Sequence, residues 1–176
     1  MKVSIRRDSL LLTGLFLVAL VYAQAEWSDW FLLLFQLLIG LGLAFVWFLL
    51  WLAWWPWAVP FRRVTGALTV AIFLSWPLLL PIWHWQEQRT QHRAARIVQQ
   101  LDAYRRAHGH YPDSLAQLAP HYLPQVPTTA QGVLHPPAFT YWHWPERPAE
   151  FALSYYAGFW VDATFSSQTR QWQYAD

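Results

Sequence analysis

One stretch, Val64 to Ala107, constrains the fold more than any other part of the sequence. Its first half is apolar (VTGALTVAIFLSWPLLLPIWHW), and its second half is polar and rich in helix-favouring residues (QEQRTQHRAARIVQQLDAYRRA). No glycine or proline interrupts it after Pro81. Because glycine and proline are the residues that most often end helices, the stretch predicts one long helix, bent near Pro77 and Pro81. We expect its first half to lie in lipid and its second half in water.

The residues before this stretch predict a membrane domain. Between Ser9 and Trp85 only four residues carry a formal charge: Glu26, Asp29, Arg62 and Arg63. Apolar residues make up 56% of the chain and 14 residues are Trp, which is typical of a membrane protein. We predict membrane spans at about residues 9–25, 31–55 and 64–85. Residues 1–85 then form the membrane domain and residues 86–176 an extracytoplasmic domain.

The first apolar segment has two interpretations. Basic residues precede the run from Leu10 to Ala23, and the run ends in Ala23-Gln24-Ala25, which is the pattern of a cleavable secretory signal. The same run could also form a short transmembrane helix of about 17 residues. We favour the uncleaved helix. In both interpretations the basic end stays in the cytoplasm.

The placement of charge predicts the orientation of the spans. Basic residues occur at the N-terminus and at Arg62-Arg63, whereas Glu26 and Asp29 lie in the loop between the first two spans. Because cytoplasmic loops carry an excess of basic residues, this pattern predicts a multi-pass protein with a cytoplasmic N-terminus and an external C-terminal domain. In a Gram-negative bacterium the membrane would be the inner one and the C-terminal domain would be periplasmic.

The segment after Trp85 predicts a small α+β domain. Apolar residues recur there at the spacing of one helix face: Ala94, Ile97, Val98, Leu101, Tyr104 and then Ala107 or His108. A stripe this narrow needs a partner surface. Alternating apolar and polar residues at 139–144, 151–156, 159–165 and 170–174 predict an antiparallel meander of three or four strands that could bury it.

Three short motifs follow one another from the end of this helix towards the strands. The segment Ile97-Val98-Gln99-Gln100-Leu101-Asp102-Ala103-Tyr104 is followed by Gly109-His110-Tyr111-Pro112 and then by Leu115 to Leu118, and Asp113 or Ser114 is expected to cap a short helix. In this order the motifs resemble the periplasmic region of type IV pilins and type II secretion pseudopilins. The resemblance covers about residues 64–174. It implies a long helix packed on a small antiparallel sheet, with an assembly or scaffold role rather than catalysis.

The chain departs from that family in three respects. Two additional apolar segments precede the long helix, and the sequence around Gly66 (VTGALTVAIF) lacks the acidic residue of the prepilin processing motif. The acidic calcium loop of the major pseudopilins is also missing, since Asp162 stands alone. The resemblance therefore implies a pilin-like domain design used as a membrane-fixed module. Insertion into a filament as a pilin variant is a third interpretation.

Motifs for catalysis are missing from the sequence. The chain has no cysteine, no G-x-S-x-G motif and no glycine-rich phosphate loop, and its carboxylates are scattered. No ionisable residue lies deep in a predicted span, so a proton relay has no visible carrier. We therefore predict no cofactor, and an enzyme is the less favoured class. The arginines between Arg89 and Arg106 are expected to form a solvated face rather than a nucleic-acid site.

The histidines supply the weak candidates for a metal site. His108 and His110 are separated by one glycine, and His121 follows nearby. Neutral imidazoles at short spacing can share a cation, although a surface turn explains the same pattern. An alternative to a scaffold role is a membrane-bound enzyme subunit, or a protein that binds a small ligand or metal, using the Trp-rich outer interface and His84, His92, His108 or His110.

Aromatic residues in the outer domain are more numerous than one sheet face can bury. We predict that some of them form a contact surface for another membrane or periplasmic protein: Trp142, Trp144, Tyr156, Trp160 and Trp172. A second buried layer over the loop at residues 125–137 is the alternative. The sequence thus predicts a membrane-anchored, pilin-like interaction module, an accessory of a pilus or secretion assembly.

Overall fold

The computed structural model describes residues 2–27, 30–52, 59–144, 146–158 and 161–175. In chain order the elements are the helices α1 (Lys2–Trp27), α2 (Trp30–Leu52) and α3 (Val59–His108), a short 3₁₀ helix (Leu115–Leu118), and the strands β1 (Thr140–Trp144), β2 (Arg147–Gly158), β3 (Val161–Ser166) and β4 (Gln171–Ala175). The predicted α+β class is confirmed. The chain divides into two compact units, Met1–Trp83 and His84–Asp176, and α3 contributes residues to both.

The first unit contains three helices that are long and apolar enough to cross a membrane. The candidate segments are Asp8–Trp27, Leu32–Leu52 and Val59–His108. Large apolar side chains such as Leu38 and Phe45 are exposed on the surface of this unit. Exposed apolar surface on this scale is what a lipid-facing helix presents. By helix length and composition, the prediction of three apolar spans is confirmed.

The third helix is continuous through both of its internal prolines. It covers 50 residues and includes Pro77 and Pro81. The predicted long helix is therefore confirmed, and it begins at Val59, five residues before the predicted start at Val64. Each internal proline removes one backbone donor from the helix. The bend expected at these prolines stays a prediction.

Two glycines allow α2 and α3 to approach each other closely. A Cβ atom added to Gly40 would lie 2.8 Å from Cγ2 of Ile72, and one added to Gly66 would lie 3.0 Å from Nε1 of Trp47. A side chain at Gly40 would force Ile72 to shift, and one at Gly66 would require the indole of Trp47 to move by a few tenths of an ångström. Gly40 on α2 thus faces Ile72 on α3.

The second unit is built around a four-stranded antiparallel sheet with the strand order β1-β2-β3-β4. Its inner face packs against α3, where Ala94, Ile97 and Leu101 are fully buried. The sheet residues of this core are Phe151, Leu153, Tyr155, Ala163 and Phe165. The predicted meander and the predicted helix stripe are therefore both confirmed. The stripe ends at the partly buried Tyr104, since Ala107 and His108 are exposed.

The segment that follows α3 returns the chain to the same core. Gly109 has φ +80°, and its N–H donates to the carbonyl oxygen of Arg105 at 2.8 Å, which closes the helix. Tyr111, Leu115 and Leu118 then enter the core. The predicted short helix is a single 3₁₀ turn. Ser114 occupies its N-cap position, but its side chain makes no capping hydrogen bond.

The Gly40 contact predicts different effects for two glycines of α2. Gly40→Ala should destabilise the packing of α2 on α3 by about 1–3 kcal/mol, because overpacking a close helix contact forces neighbouring atoms apart. Gly42→Ala is the matched control, since nothing lies within 4 Å of a Cβ at that position. It should be neutral or slightly stabilising. Thermal unfolding in detergent, followed by circular dichroism, measures both, and equal midpoints for the two variants would contradict the contact.

The buried stripe of α3 generates a second prediction. Ile97→Ala should lower the free energy of unfolding of the second unit by about 2–5 kcal/mol, because it removes buried methyl groups and leaves a cavity. Gln99→Ala, an exposed position on the same helix, should change it by less than about 0.5 kcal/mol. Near-ultraviolet circular dichroism reports the aromatic core during denaturation. A stripe that does not pack on the sheet would give the same midpoint for both variants.

Candidate partner-binding surface

The register of the sheet sorts the predicted contact residues onto two faces. Directly opposed residues of antiparallel strands project to the same side. One row across the sheet runs Tyr141, Leu153, Phe165 and Trp172, and it belongs to the inner face that packs on α3. The neighbouring row begins at Trp142 and belongs to the outer face: Trp142, Ala152, Ser166 and Gln171. Trp144 and Tyr156 alternate onto this outer face as well.

Trp172 does not share the surface of Trp142. Its ring lies 5.3 Å from the ring of Tyr155 and 5.4 Å from that of Phe165, measured between centroids. It is half-buried against the core. Its position on the inner face separates it from the outer aromatic residues, so we leave it out of the candidate surface. Trp160, which was also predicted to contact a partner, lies outside the described residues.

Trp142 and Trp144 are exposed on the outer face. Their exposed fractions are 48% and 46%, whereas Tyr156 is half-buried. Exposed and half-buried residues alternate from Thr140 to Trp144, so the two tryptophans lie on the same side of β1, two residues or about 7 Å apart along the strand. We define the outer aromatic face as Trp142, Trp144 and Tyr156. Its neighbours on the face are small or polar: Ala152, Ser154, Thr164, Ser166 and Gln173.

The loop at residues 125–137 hydrogen bonds to α3. The guanidinium of Arg93 donates to the carbonyl oxygens of Thr128 and Thr129 at 3.0 and 2.7 Å. The N–H of Ala130 donates to Oγ1 of Thr90 at 2.9 Å. The alternative of a second buried layer over this loop would bury the outer tryptophans. Their exposure instead leaves the outer aromatic face accessible in the described structure.

Two tyrosines tie the inner face of the sheet to other elements. The hydroxyl of Tyr155 donates to Oε1 of Glu87 at 2.6 Å, and that of Tyr141 donates to the carbonyl oxygen of Pro112 at 2.7 Å. Burial raises the pKa of both phenols well above the ordinary value, and the hydrogen bond to Glu87 raises the pKa of Tyr155 further. Both groups therefore stay protonated and act as structural donors.

A polar cluster joins the Gly-His-Tyr-Pro motif to α3 and to the turn between β3 and β4. Asp102 accepts hydrogen bonds from Arg170 at 2.7 Å and from the hydroxyl of Tyr111 at 3.2 Å. The guanidinium of Arg105 lies 5.1 Å from the centre of the Tyr111 ring. Arg170 has φ +53°, an uncommon backbone conformation for a residue with a side chain. The carboxylate of Asp102 thus has an anchoring role in the fold.

Two of the histidine candidates for a metal site hydrogen bond to backbone carbonyl oxygens through a ring nitrogen. Nδ1 of His108 donates to the carbonyl oxygen of Tyr104 at 3.0 Å, and Nδ1 of His110 donates to that of Tyr111 at 2.9 Å. The two rings lie 6.4 Å apart, and the His108 ring stacks on Tyr104 at 4.1 Å. Among the described residues, no three His, Asp or Glu side chains are grouped to hold a metal ion. Among the same described residues, no hydrogen bond or ring contact joins His121 to His108 or His110.

Two further histidine candidates, His84 and His92, lie on the exposed side of α3. Nε2 of His84 accepts a hydrogen bond from Gln88 at 2.8 Å. His92 lines an open cavity of about 510 Å³ together with Arg89, Arg93 and Arg96. The guanidinium of Arg89 lies 4.3 Å from the ring centre of Trp85, and Arg93 holds the 128–129 carbonyl oxygens. This basic surface therefore has partly structural roles.

A buried polar chain crosses the first unit, and it was not identified from the sequence. Nε2 of Gln24 on α1 donates to Oε1 of Gln36 on α2 at 2.9 Å, and Nε2 of Gln36 donates to Oγ of Ser75 on α3 at 2.9 Å. All three side chains are buried. Hydrogen bonds between apolar helices help to hold such helices together and fix their register. Uncharged polar residues inside apolar segments are the signal that could have indicated it.

Comparisons with known proteins leave the family of the chain open. No protein-family model, curated protein or solved structure matches it. The resemblance to pilins and pseudopilins therefore rests on its short motifs. A fold alone does not determine a function, which depends on the surfaces and cavities of the chain.

The two buried phenols predict a pH dependence. A raised pKa in the folded state means that the unfolded chain loses these protons first, so their contribution to stability is complete below about pH 10, the ordinary tyrosine value. That contribution is lost as the pH rises from there through the folded pKa values. A Tyr141→Phe/Tyr155→Phe variant should show a shallower fall of unfolding midpoint between pH 9 and pH 11 than the unmodified protein. An unchanged slope would contradict the assignment.

Proposed function

We propose that the protein is a membrane-anchored, pilin-like interaction module whose outer aromatic face binds another membrane or periplasmic protein. The observation that carries this proposal is the pair of exposed indoles, Trp142 and Trp144, on one face of the folded sheet. Tryptophan is the residue most enriched in the energetically dominant parts of protein interfaces. An accessory role in a pilus or secretion assembly is the proposed context.

The physical reason is the large apolar area of the two side chains. A tryptophan buries about 150–250 Å² when it enters an interface, and its indole N–H can still donate a hydrogen bond at the edge. The small and polar neighbours of the outer aromatic face, such as Ala152 and Thr164, would let a partner approach the sheet closely. Most of the binding energy would then come from the two tryptophans.

The domain design supports the comparison with pilins. In this chain, as in that family, a long apolar helix continues into an amphipathic half, a Gly-x-Tyr-Pro turn follows, and an antiparallel sheet packs on the helix. The charge pattern supports an external second unit, because the basic residues before α1 and at Arg62-Arg63 favour the cytoplasm. Three apolar segments would fix this domain at the membrane.

The alternative of a membrane-bound enzyme subunit or metal-binding protein has less support. Among the described residues, His108 and His110 supply two rings and no third ligand, whereas structural zinc sites use four ligands and catalytic sites three. Stoichiometric metal in the purified protein would favour this alternative.

Site-specific photo-crosslinking tests the proposal. A photoreactive amino acid at position 142 or 144 of the full chain should give a discrete crosslinked species in intact membranes. The same residue at Gln125, an exposed position in the loop, is the matched control. Trp142→Ala and Trp144→Ala should each weaken partner binding at least tenfold, since truncating a dominant interface residue costs about 2 kcal/mol or more.

Two outcomes would contradict this function. The first is equal crosslinking from positions 125, 142 and 144, which would mean that a partner contacts the outer aromatic face no more than it contacts the loop. The second is co-purification in mild detergent in which the partner is retained equally by the double alanine variant and by the unmodified protein.

A further inference from the structure

A basic cavity lies on the exposed side of α3, one helical turn after Trp85. It is open to solvent and has a volume of about 510 Å³, within the range of small-ligand sites, about 300–1,000 Å³. Three arginines and three other residues line it: Arg89, Arg93, Arg96, His92, Ala95 and Gln99. The arginines and His92 are three or four positions apart, so they share one face of the helix. The cavity is large enough for the polar head of one molecule.

The positive charge of this cavity is not neutralised by the protein. Within the described part of the chain, none of the three arginines makes an ion pair. The cavity lining contains no acidic residue, and the loop at residues 125–137, which accepts hydrogen bonds from Arg93, contains none either. Glu87 is the one acidic residue between positions 84 and 101. Its Oε1 accepts hydrogen bonds from Tyr155 and Gln91.

Three of the lining side chains keep their hydrogen-bond donors available. Among the described residues, the side chains of Arg89, His92 and Arg96 make no hydrogen bond. The guanidinium of Arg89 is held instead by the ring of Trp85, 4.3 Å from its centre. Stacking on an aromatic ring positions a guanidinium electrostatically and leaves its N–H groups free. Arg93 differs, because the carbonyl oxygens at positions 128 and 129 use one of its nitrogens.

The order of residues along α3 predicts that the cavity lies at the membrane surface. Trp85 ends the apolar half of α3 and is 51% exposed, and tryptophan is enriched at membrane–water interfaces. Arg89 follows after four residues, about 6 Å along the helix axis, and the headgroup layer on each side of a bilayer is about 5–8 Å thick. The Cα–Cβ bonds of a helix tilt toward its N-terminus, which is the apolar end of α3. The arginine side chains therefore lean toward the headgroups.

We infer that this cavity binds the headgroup of an anionic phospholipid from the bilayer that α3 crosses. The guanidinium of Arg89 would contact the phosphate oxygens in a bidentate arrangement, and a ring N–H of His92 would donate a further hydrogen bond. Arg93 and Arg96 would add positive charge above the phosphate. The inference goes beyond the proposed function and shares with it only the placement of α3 in a membrane.

Charge selects the headgroup. The phosphate of phosphatidylglycerol carries a negative charge that nothing else in that headgroup cancels. Phosphatidylcholine carries an ammonium group as well, which the three arginines would repel. A soluble anion such as inorganic phosphate lacks the acyl chains that keep a lipid beside the cavity, so its effective concentration there is much lower. The cavity should therefore prefer phosphatidylglycerol to both.

Lipid retention by the full-length protein tests the inference. The protein is placed in nanodiscs that contain phosphatidylglycerol and phosphatidylcholine in equal amounts, and the lipids that stay bound on release are identified by native mass spectrometry. We expect phosphatidylglycerol to be retained preferentially. Arg89→Gln should lower the retained ratio of the two lipids about fivefold, the effect of one arginine near an anionic membrane surface. Arg89→Lys should give an intermediate ratio, because it keeps the charge and loses the bidentate geometry.

Arg106→Gln is the matched control. It removes the same charge from an exposed position of the same helix, but it lies 21 residues after Trp85, about 31 Å along the axis. Its lipid ratio should equal that of the unmodified protein. Arg96→Gln, also at an exposed position, should lower the ratio in the same direction as Arg89→Gln. It keeps the test decisive if a change at Arg89 disturbs folding.

Three results would overturn the inference. The first is equal retention of the two lipids by the unmodified protein. The second is an equal loss of preference in Arg89→Gln and Arg106→Gln, which would reflect net charge and not a site. The third is displacement of the retained phosphatidylglycerol by inorganic phosphate, which would mean that the cavity takes a soluble anion. None of these results bears on crosslinking through Trp142, so this inference and the proposed function can fail separately.

Discussion

The second unit depends on the burial of one helix stripe by one sheet face. Ile97 and Leu101 are fully buried on α3, and Leu153 is fully buried on the central strand β2. A helix of this length and polarity would be marginal in water without a partner surface, and a four-stranded meander with one bare apolar face would aggregate. Each therefore supplies the surface that the other lacks. Hydrogen bonds from Arg93, Tyr155 and Arg170 surround this contact and fix its register.

The same packing explains why the outer face remains available. Period-two alternation sends half of each strand to α3 and the other half away from it. On the inner side Trp172 packs against the core, whereas on the outer side Trp142 and Trp144 are exposed. The surface we propose for a partner is thus a direct consequence of how the helix is buried. With polar residues at these two outer positions the surface would be absent.

Local patterns in the sequence predicted this unit well because it is built from local periodicities. The stripe from Ala94 to Tyr104, the glycine that closes α3 and the four strands all follow from spacing and turn residues. The start of β2 was not predicted, since the alternating pattern indicated a strand from residue 151, whereas β2 begins at Arg147. The register shift beside Trp144 leaves residues 148–150 outside the ladder with β1, so the missing N–H of Pro148 costs no hydrogen bond.

Spacing within one segment could not predict the polar chain of the first unit. Gln24, Gln36 and Ser75 lie on three different helices, and their contact depends on how each helix is rotated about its axis. The close approach at Gly40 sets that rotation for α2 and α3, and it is visible only once the two helices are paired.

Native-state hydrogen exchange of the full chain in detergent tests the central claim most directly. If helix and sheet are one cooperative unit, the amides of Ile97 and Leu101 should open with the same free energy as those of Leu153 and Phe165, as measured at increasing denaturant. Sheet amides that exchange through a separate opening of much lower free energy, while the α3 amides stay protected, would contradict it.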